Sequence, residues 1–268
     1  MTRHPFNAAE EWQKLKNGIR QLAKQEILPR FEKVGFEEKQ DGSLLTEADL
    51  EMQKATQSFL LKNWPQFAFL GEEMSQQEQE DALKSAQGCW ILDPIDGTSN
   101  FASGIPVYAV SLALMIEGRL VAGLVYDPDR DEMFAARHTQ GAELNDKPLL
   151  AKTAKTELKQ TSGIIDFKRL TPELACRIIH DNPYSSQRSF GSVALDWCWI
   201  AAGRGHIYLH GAQNIWDYAA GYLILHEAGG QSCTLDGEDV LLPKVQKRAA
   251  VAATTPELFQ QWHDYLQI

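Results

Sequence analysis

The chain has 268 residues, 44% of them hydrophobic, and a formal net charge of -10. It can therefore bury a full core as one large domain or two joined lobes, and its charge opposes bulk binding to nucleic acid or to an anionic membrane. Cys89, Cys176, Cys198 and Cys233 show no CxxC or Cys/His metal spacing and read as free thiols in a reducing cytoplasm, while the longest apolar run, Val107 to Ile116, is too short to span a bilayer.

From Ala8 to Phe31 the apolar residues Trp12, Leu15, Ile19, Leu22 and Ile27 recur at mostly helical spacing and predict an amphipathic helix packed on a sheet. Thr46 with Asp49 three residues on spells a capping box for a helix to about Leu61, with Leu50, Phe59 and Leu60 among its buried residues. Phe69-Leu70-Gly71-Glu72-Glu73 closes a short apolar strand on an acid. Cys89-Trp90-Ile91-Leu92 reads as a second buried strand, which stops at Asp93-Pro94-Ile95-Asp96-Gly97-Thr98. Two carboxylates three residues apart, with Pro94 fixing one torsion between them, can turn both acids and the Ile95 carbonyl toward one point. Oxygen-only ligands of that kind suit a hard cation such as Mg²⁺. Gly97 lets the backbone approach a ligand, and Thr98 offers a hydroxyl at a helix start, where free N–H groups favour an anion. The same residue types also build ordinary turns, so this stretch alone leaves both readings open.

Tyr108 to Leu114 and Leu120 to Tyr126 read as adjacent strands joined at Glu117-Gly118, with a third strand around Asp131 to Ala136. The spacing Asp127, Asp129, Asp131 imitates a calcium loop, but Glu132 and His138 stand where that loop needs Gly and Glu, so it is rejected. Beyond Lys147 a second lobe begins near Ser162, and Thr171-Pro172-Glu173 is a helix start. Arg188 to Asp196 is strand, glycine, helix. Either the free N–H groups of Gly191, Ser192 and Val193 face a ligand, or this is only a helix with a small-residue start. Asp217, in Ile215-Trp216-Asp217, opens an apolar helical stretch that ends at Gly229-Gly230. Ala249 to Ala253 gives a last strand and Thr255-Pro256-Glu257 the last helix. No GxSxG elbow, HExxH helix or GxxxxGK[ST] loop occurs, so a hydrolytic site here must activate water.

In that order, GEE, WILDPIDGTSNF and WDYAAGYLILHEAGG resemble the inositol monophosphatase family of Mg²⁺-dependent, lithium-sensitive phosphatases, and with the flanking segments the resemblance covers nearly the whole chain. It implies an α/β fold, a layered αβαβα sandwich forming one domain over 1–268, with lobes of roughly 1–146 and 147–268 and the metals where they meet. It implies Mg²⁺ held by Glu72, Asp93, the Ile95 carbonyl, Asp96 and Asp217, with Asp49 adding a further ion. Glu72, Thr98 and Asp49 would serve catalysis, and Gly97, Thr98, Gly191, Ser192, Val193 and His210 would touch the substrate. The implied reaction is hydrolysis of a small polyol phosphate, inositol 1-phosphate first, in a cytoplasmic homodimer. Lys39 and Asp41 resemble the mobile loop before Asp49, in a spelling closer to the branches acting on 3′(2′),5′-bisphosphate nucleotides and on histidinol phosphate, so those substrates stay open. A role as an interaction protein in transcription or RNA processing also stays open. His210 departs from the family pattern: it stands seven positions before Asp217, where inositol phosphatases carry an acid that takes hydrogen bonds from substrate hydroxyls. Either His210 faces the leaving group and grips a diol less well, or its neighbours from Leu209 to Asn214 supply the contacts.

Overall fold

A computed structural model describes residues 4–33, 35–38 and 44–268; Lys39 and Asp41 lie outside the described residues. Helix α1 (Ala9–Glu26) buries Trp12, Leu15, Ile19 and Ala23, one apolar stripe at helical spacing. It stops short of the expected Phe31, because Pro29 has no N–H to continue the helical ladder, and the chain tightens into a 3-10 turn, Leu28–Arg30. Strands β1 (Phe36–Glu38) and β2 (Leu44–Thr46) form a small antiparallel pair that leads into α2 (Glu47–Asn63). The Thr46/Asp49 capping box starts α2 as its spelling predicts. Its buried residues are Ala48, Asp49, Met52, Thr56 and Leu60, whereas Leu50 is 39% exposed. Leu50 was expected inside, but it falls off the i, i+4 row that Ala48, Met52, Thr56 and Leu60 define.

Strand β3 (Ala68–Gly71) and the short helix α3 (Gln76–Leu83) precede β4 (Cys89–Asp96), all eight residues of which are buried. The sequence predicted that this strand would stop at Leu92. Instead it runs on to Asp96, with a register shift against its neighbour between Asp93 and Asp96, where Pro94 has no N–H to give the ladder. Residues three apart on a regular strand point to opposite faces, and the irregularity re-aims them. After the five-residue α4 (Thr98–Ala102) come β5 (Ala109–Ile116), β6 (Arg119–Asp127), β7 (Glu132–Arg137), β8 (Ala142–Leu144) and β9 (Lys147–Leu149). They complete a seven-stranded sheet in the order β3-β4-β5-β6-β7-β8-β9, antiparallel except for β3 beside β4.

The rest of the chain supplies β10 (Ser162–Asp166), α5 (Pro172–Asp181), β11 (Ser186–Arg188), α6 (Val193–Ala201), β12 (Ile207–Gln213), α7 (Ile215–Ala228), β13 (Gln231–Cys233), β14 (Arg248–Ala253) and α8 (Pro256–Leu266). Its strands form a five-stranded sheet, β11-β10-β12-β14-β13, in which β10 runs parallel to both neighbours. Helices α6 and α7 pack against each other between the two sheets, α1 and α2 cover the outer face of the seven-stranded sheet, and α8 lies against β12, β13 and β14. The stacking is helix, sheet, helix, sheet, helix, an αβαβα sandwich. Its apolar residues follow the layers: α7, wedged between two sheets, buries nine of its fourteen residues around its whole circumference, as a helix covered on both sides must.

Candidate active site

A cavity of about 890 Å³ opens where β3, β4 and the start of α4 meet the ends of β10 and β12 and the N-termini of α6 and α7. Parallel strands with helices starting beyond them place ligands at their C-terminal ends, which is where β10 and β12 deliver theirs. Among the described residues, Asp93, Asp96 and Asp217 form one acidic group whose ligand atoms all lie within 4.8 Å of one another.

Each of the three is held by a donor of the chain. Asp93 Oδ1 accepts the Ile95 N–H at 3.0 Å. Asp96 Oδ2 accepts the Ser192 hydroxyl and, at 2.8 Å, the Ala194 N–H, so an acid of the first sheet sits at the start of α6. Asp217 Oδ2 accepts Asn214 N–H at 2.8 Å, within a capping box that begins α7. These bonds fix the carboxylate planes and leave a second oxygen on each for a ligand. Burial first, then the charges of Glu72, Asp96, Asp217 and Asp49, holds the Asp93 carboxyl well above its ordinary range. Burial, then Asp96 and Glu72, does the same to Asp217. Asp96 is pushed up to about 7 by burial, against the opposing pull of the Ser192 and Ala194 bonds. Such a group retains protons unless a cation replaces them. Anchored, oxygen-only and densely anionic, these residues fit a hard divalent cation.

The other expected site residues gather around this group. Glu72 follows β3, and its N–H pairs with Leu92 O at 3.1 Å, which sets it beside Asp93 at the cavity wall. The Ile95 carbonyl accepts the Thr98 hydroxyl at 2.9 Å, and Asp49 Oδ1 lies 3.3 Å from the same hydroxyl. Asp49 is fully buried and holds the Thr46 N–H at 2.8 Å on its other oxygen, so it caps α2 and reaches the cavity through Thr98. Gly97 has φ 96°, and a Cβ there would stand 2.8 Å from Val107 O; the turn that begins α4 admits only glycine. Gly191, Ser192 and Val193 line the cavity, and Ser192 is also the N-cap of α6. His210 lines it too, with Nε2 3.1 Å from Asp166 Oδ2 and Nδ1 accepting the Ala212 N–H at 3.2 Å.

Two residues at this site lay outside the sequence reading. Asn100 donates to Val107 O at 2.8 Å and to Phe190 O at 2.6 Å, tying the turn after β4 to the loop before α6. Asp166, at the end of β10, lines the cavity. Burial works to raise its carboxyl, but the His210 bond and charge and the Lys168 N–H outweigh it and hold the group below its ordinary value. An acid directly after a short apolar run, as Glu72 and Asp93 are, is the available signal for Asp166.

Compared with known proteins, residues 8–267 match the family described as the inositol monophosphatase family. The chain is 34% identical over 230 residues to the Nus factor SuhB of Pasteurella multocida, covering 83% of this chain and 84% of the relative. It is 35% identical over 231 residues to inositol monophosphatase 1 of Solanum lycopersicum, covering 84% and 83%. The crystal structure of the extragenic suppressor protein suhB from Bartonella henselae superposes with a TM-score of 0.80 at 28% identity, over 96% of both chains.

Proposed function

The chain belongs to the inositol monophosphatase family and is a metal-dependent phosphomonoesterase, and from that premise we propose that it uses Mg²⁺ to hydrolyse a small polyol phosphate, inositol 1-phosphate first. The observation that carries this reading is the convergence of Asp93 and Asp96, from β4 of the seven-stranded sheet, with Asp217, from the start of α7, within 4.8 Å in the wall of one cavity. We assign the metal to these three, extended by Glu72, the Ile95 carbonyl and, more loosely, Asp49. When bound, Mg²⁺ supplies Lewis-acid stabilisation of charge on the attacking and leaving oxygens of an in-line displacement.

The chain's own groups supply the rest. The N–H groups of Gly97 and Thr98 grip the phosphate oxygens without adding a competing charge. The Thr98 hydroxyl has one proton, directed at Ile95 O or Asp49, so its oxygen lone pairs receive a hydrogen bond from the incoming water. Glu72 and Thr98 together orient that water toward phosphorus; its oxygen bonds to phosphorus as the ester P–O bond breaks, and the departing oxygen, leaving with the bonding pair, takes up the proton the water loses. Gly191, Ser192 and Val193 form the facing wall, and Ser192 keeps Asp96 aimed.

A phosphate-release screen with Mg²⁺ over polyol, sugar and nucleotide phosphates tests the substrate, and fastest turnover of inositol 1-phosphate is expected. Preference for a 3′,5′-bisphosphate nucleotide or histidinol phosphate would transfer the chain to the alternative branch. The relatives named Nus factor SuhB keep open a second, non-catalytic role in transcription complexes, which a pull-down from native extract would reveal. We further assign a cytoplasmic homodimer, measurable by light scattering, whose subunits each have lobes of roughly 1–146 and 147–268. Among the described residues no helix is long and apolar enough to cross a membrane.

A further inference from the structure

We propose that Asp166, positioned by His210, accepts hydrogen bonds from hydroxyl groups of the leaving alcohol, and so makes this chain selective for phosphate esters of polyhydroxylated alcohols. The proposal rests on the phosphomonoesterase reading of the cavity and names the residue that sets its substrate class. The parallel strands β10 and β12 pair residue by residue, and their last rung, Asp166 opposite His210, arrives at the cavity. Beyond it β12 shifts register against β14, between His210 and Gln213, where the ladder resumes opposite Arg248.

His210 cannot itself serve the substrate. Its Nδ1 accepts the Ala212 N–H, which leaves Nε2 to carry the ring proton, and Nε2 is turned to Asp166 Oδ2 at 3.1 Å. With both nitrogens occupied and only 5% of the residue exposed, it acts through Asp166. The Asp166 carboxylate has room that His210 lacks. Its side chain is 27% exposed toward the cavity. Oδ2 takes His210 and Oδ1 takes the Lys168 N–H at 3.0 Å, so two of about four acceptor positions remain. Among the described residues it makes no ion pair with a lysine or arginine. The turn that carries it is also fixed: a Cβ on Gly211 would stand 1.7 Å from Arg169 O, so β12 supports the backbone of Phe167–Arg169 directly.

Charge decides which part of the substrate this carboxylate meets. An ionised acid repels the phosphoryl group, which belongs with Gly97, Thr98 and the cation, and it attracts hydrogen-bond donors on the alcohol. The acid missing from position 210 is thereby supplied from the neighbouring strand.

The test compares inositol 1-phosphate with cyclohexyl phosphate, the same ring without hydroxyls, in wild type, Asp166→Ala, His210→Ala and His210→Gln. Wild type should prefer the inositol ester in kcat/KM by about 10- to 100-fold, the range expected for hydrogen bonds to a charged group, and Asp166→Ala should collapse that ratio toward one. His210→Ala should raise KM for the inositol ester more than it lowers kcat, and His210→Gln, which returns an N–H donor, should recover part of the loss. Asp166→Asn, lacking the charge, should also reduce the ratio and serves if Asp166→Ala does not fold. An unchanged ratio in the Asp166 variants, or a wild type indifferent to the hydroxyls, overturns the assignment. Turnover of cyclohexyl phosphate by wild type tests the phosphatase reading separately; if neither ester is turned over, that reading and this one both fall.

Discussion

Replacing Asp96 by Asn should make the metal-free protein more stable at pH 8 while abolishing its activity. The Asp96 carboxyl is pushed up to about 7, from an ordinary 3.8, by burial among other acids. A carboxyl raised in the folded state contributes stability that is complete below pH 4 and is lost as the pH climbs through 7, because the folded protein then surrenders a proton that the unfolded chain gave up earlier. About three pKa units at 1.36 kcal/mol each place the cost at about 4 kcal/mol by pH 8. Asn is neutral throughout and can offer its oxygen to Ser192 and Ala194, so it escapes that cost. With an unfolding entropy of about 2.1 cal/mol/K per residue, 4 kcal/mol corresponds to about 7 °C in Tm for a chain of this length. Calorimetry in chelator from pH 5 to 8 should show wild-type Tm falling relative to the variant, with the gap widening toward pH 8. Saturating Mg²⁺ should raise only the wild type strongly, since ligand binding stabilises the form that binds. A gap that does not change with pH, or a variant less stable than wild type in chelator at pH 8, would refute the reasoning.

Asp93→Asn and Asp217→Asn should each cut turnover by a few orders of magnitude with an intact circular-dichroism spectrum, because each removes charge needed in the transition state; near-wild-type rates at saturating Mg²⁺ would exclude them as ligands. Thr98→Ala should lower kcat more than it raises KM, and steady-state kinetics showing a pure KM effect would contradict its role in orienting water. Gly97→Ala combines φ 96° with a 2.8 Å approach to Val107 O, so thermal melts should show a loss of about 1–3 kcal/mol together with reduced turnover; unchanged Tm and activity would show that the turn tolerates a side chain.

The local chemistry of the site was legible in the sequence, whereas the links between its segments were not. Thr46 and Asp49 form the cap their spacing announces, and Thr171-Pro172 and Thr255-Pro256 start α5 and α8, because such signals act over a single turn. The three acids that converge were each marked by an apolar run beside them. Leu50 could not be placed by composition, since exposure on a helix depends on which row meets the sheet. Likewise nothing near Asn100 announces that its amide will reach Phe190 O, and nothing near Asp166 names His210 as its partner. Those pairings follow from how the two sheets clasp α6 and α7, which is decided by the core as a whole.

The most direct measurement is phosphate release from inositol 1-phosphate by metal-stripped protein as Mg²⁺ is titrated back, in wild type and in Asp217→Asn. Wild type should be silent in chelator and recover fully and saturably, while Asp217→Asn stays at least a hundredfold below it, roughly the loss of one strong charge contact or more. Equal turnover with and without Mg²⁺, or the same titration curve in both proteins, would contradict the assignment of Asp93, Asp96 and Asp217 as the metal centre of a phosphatase.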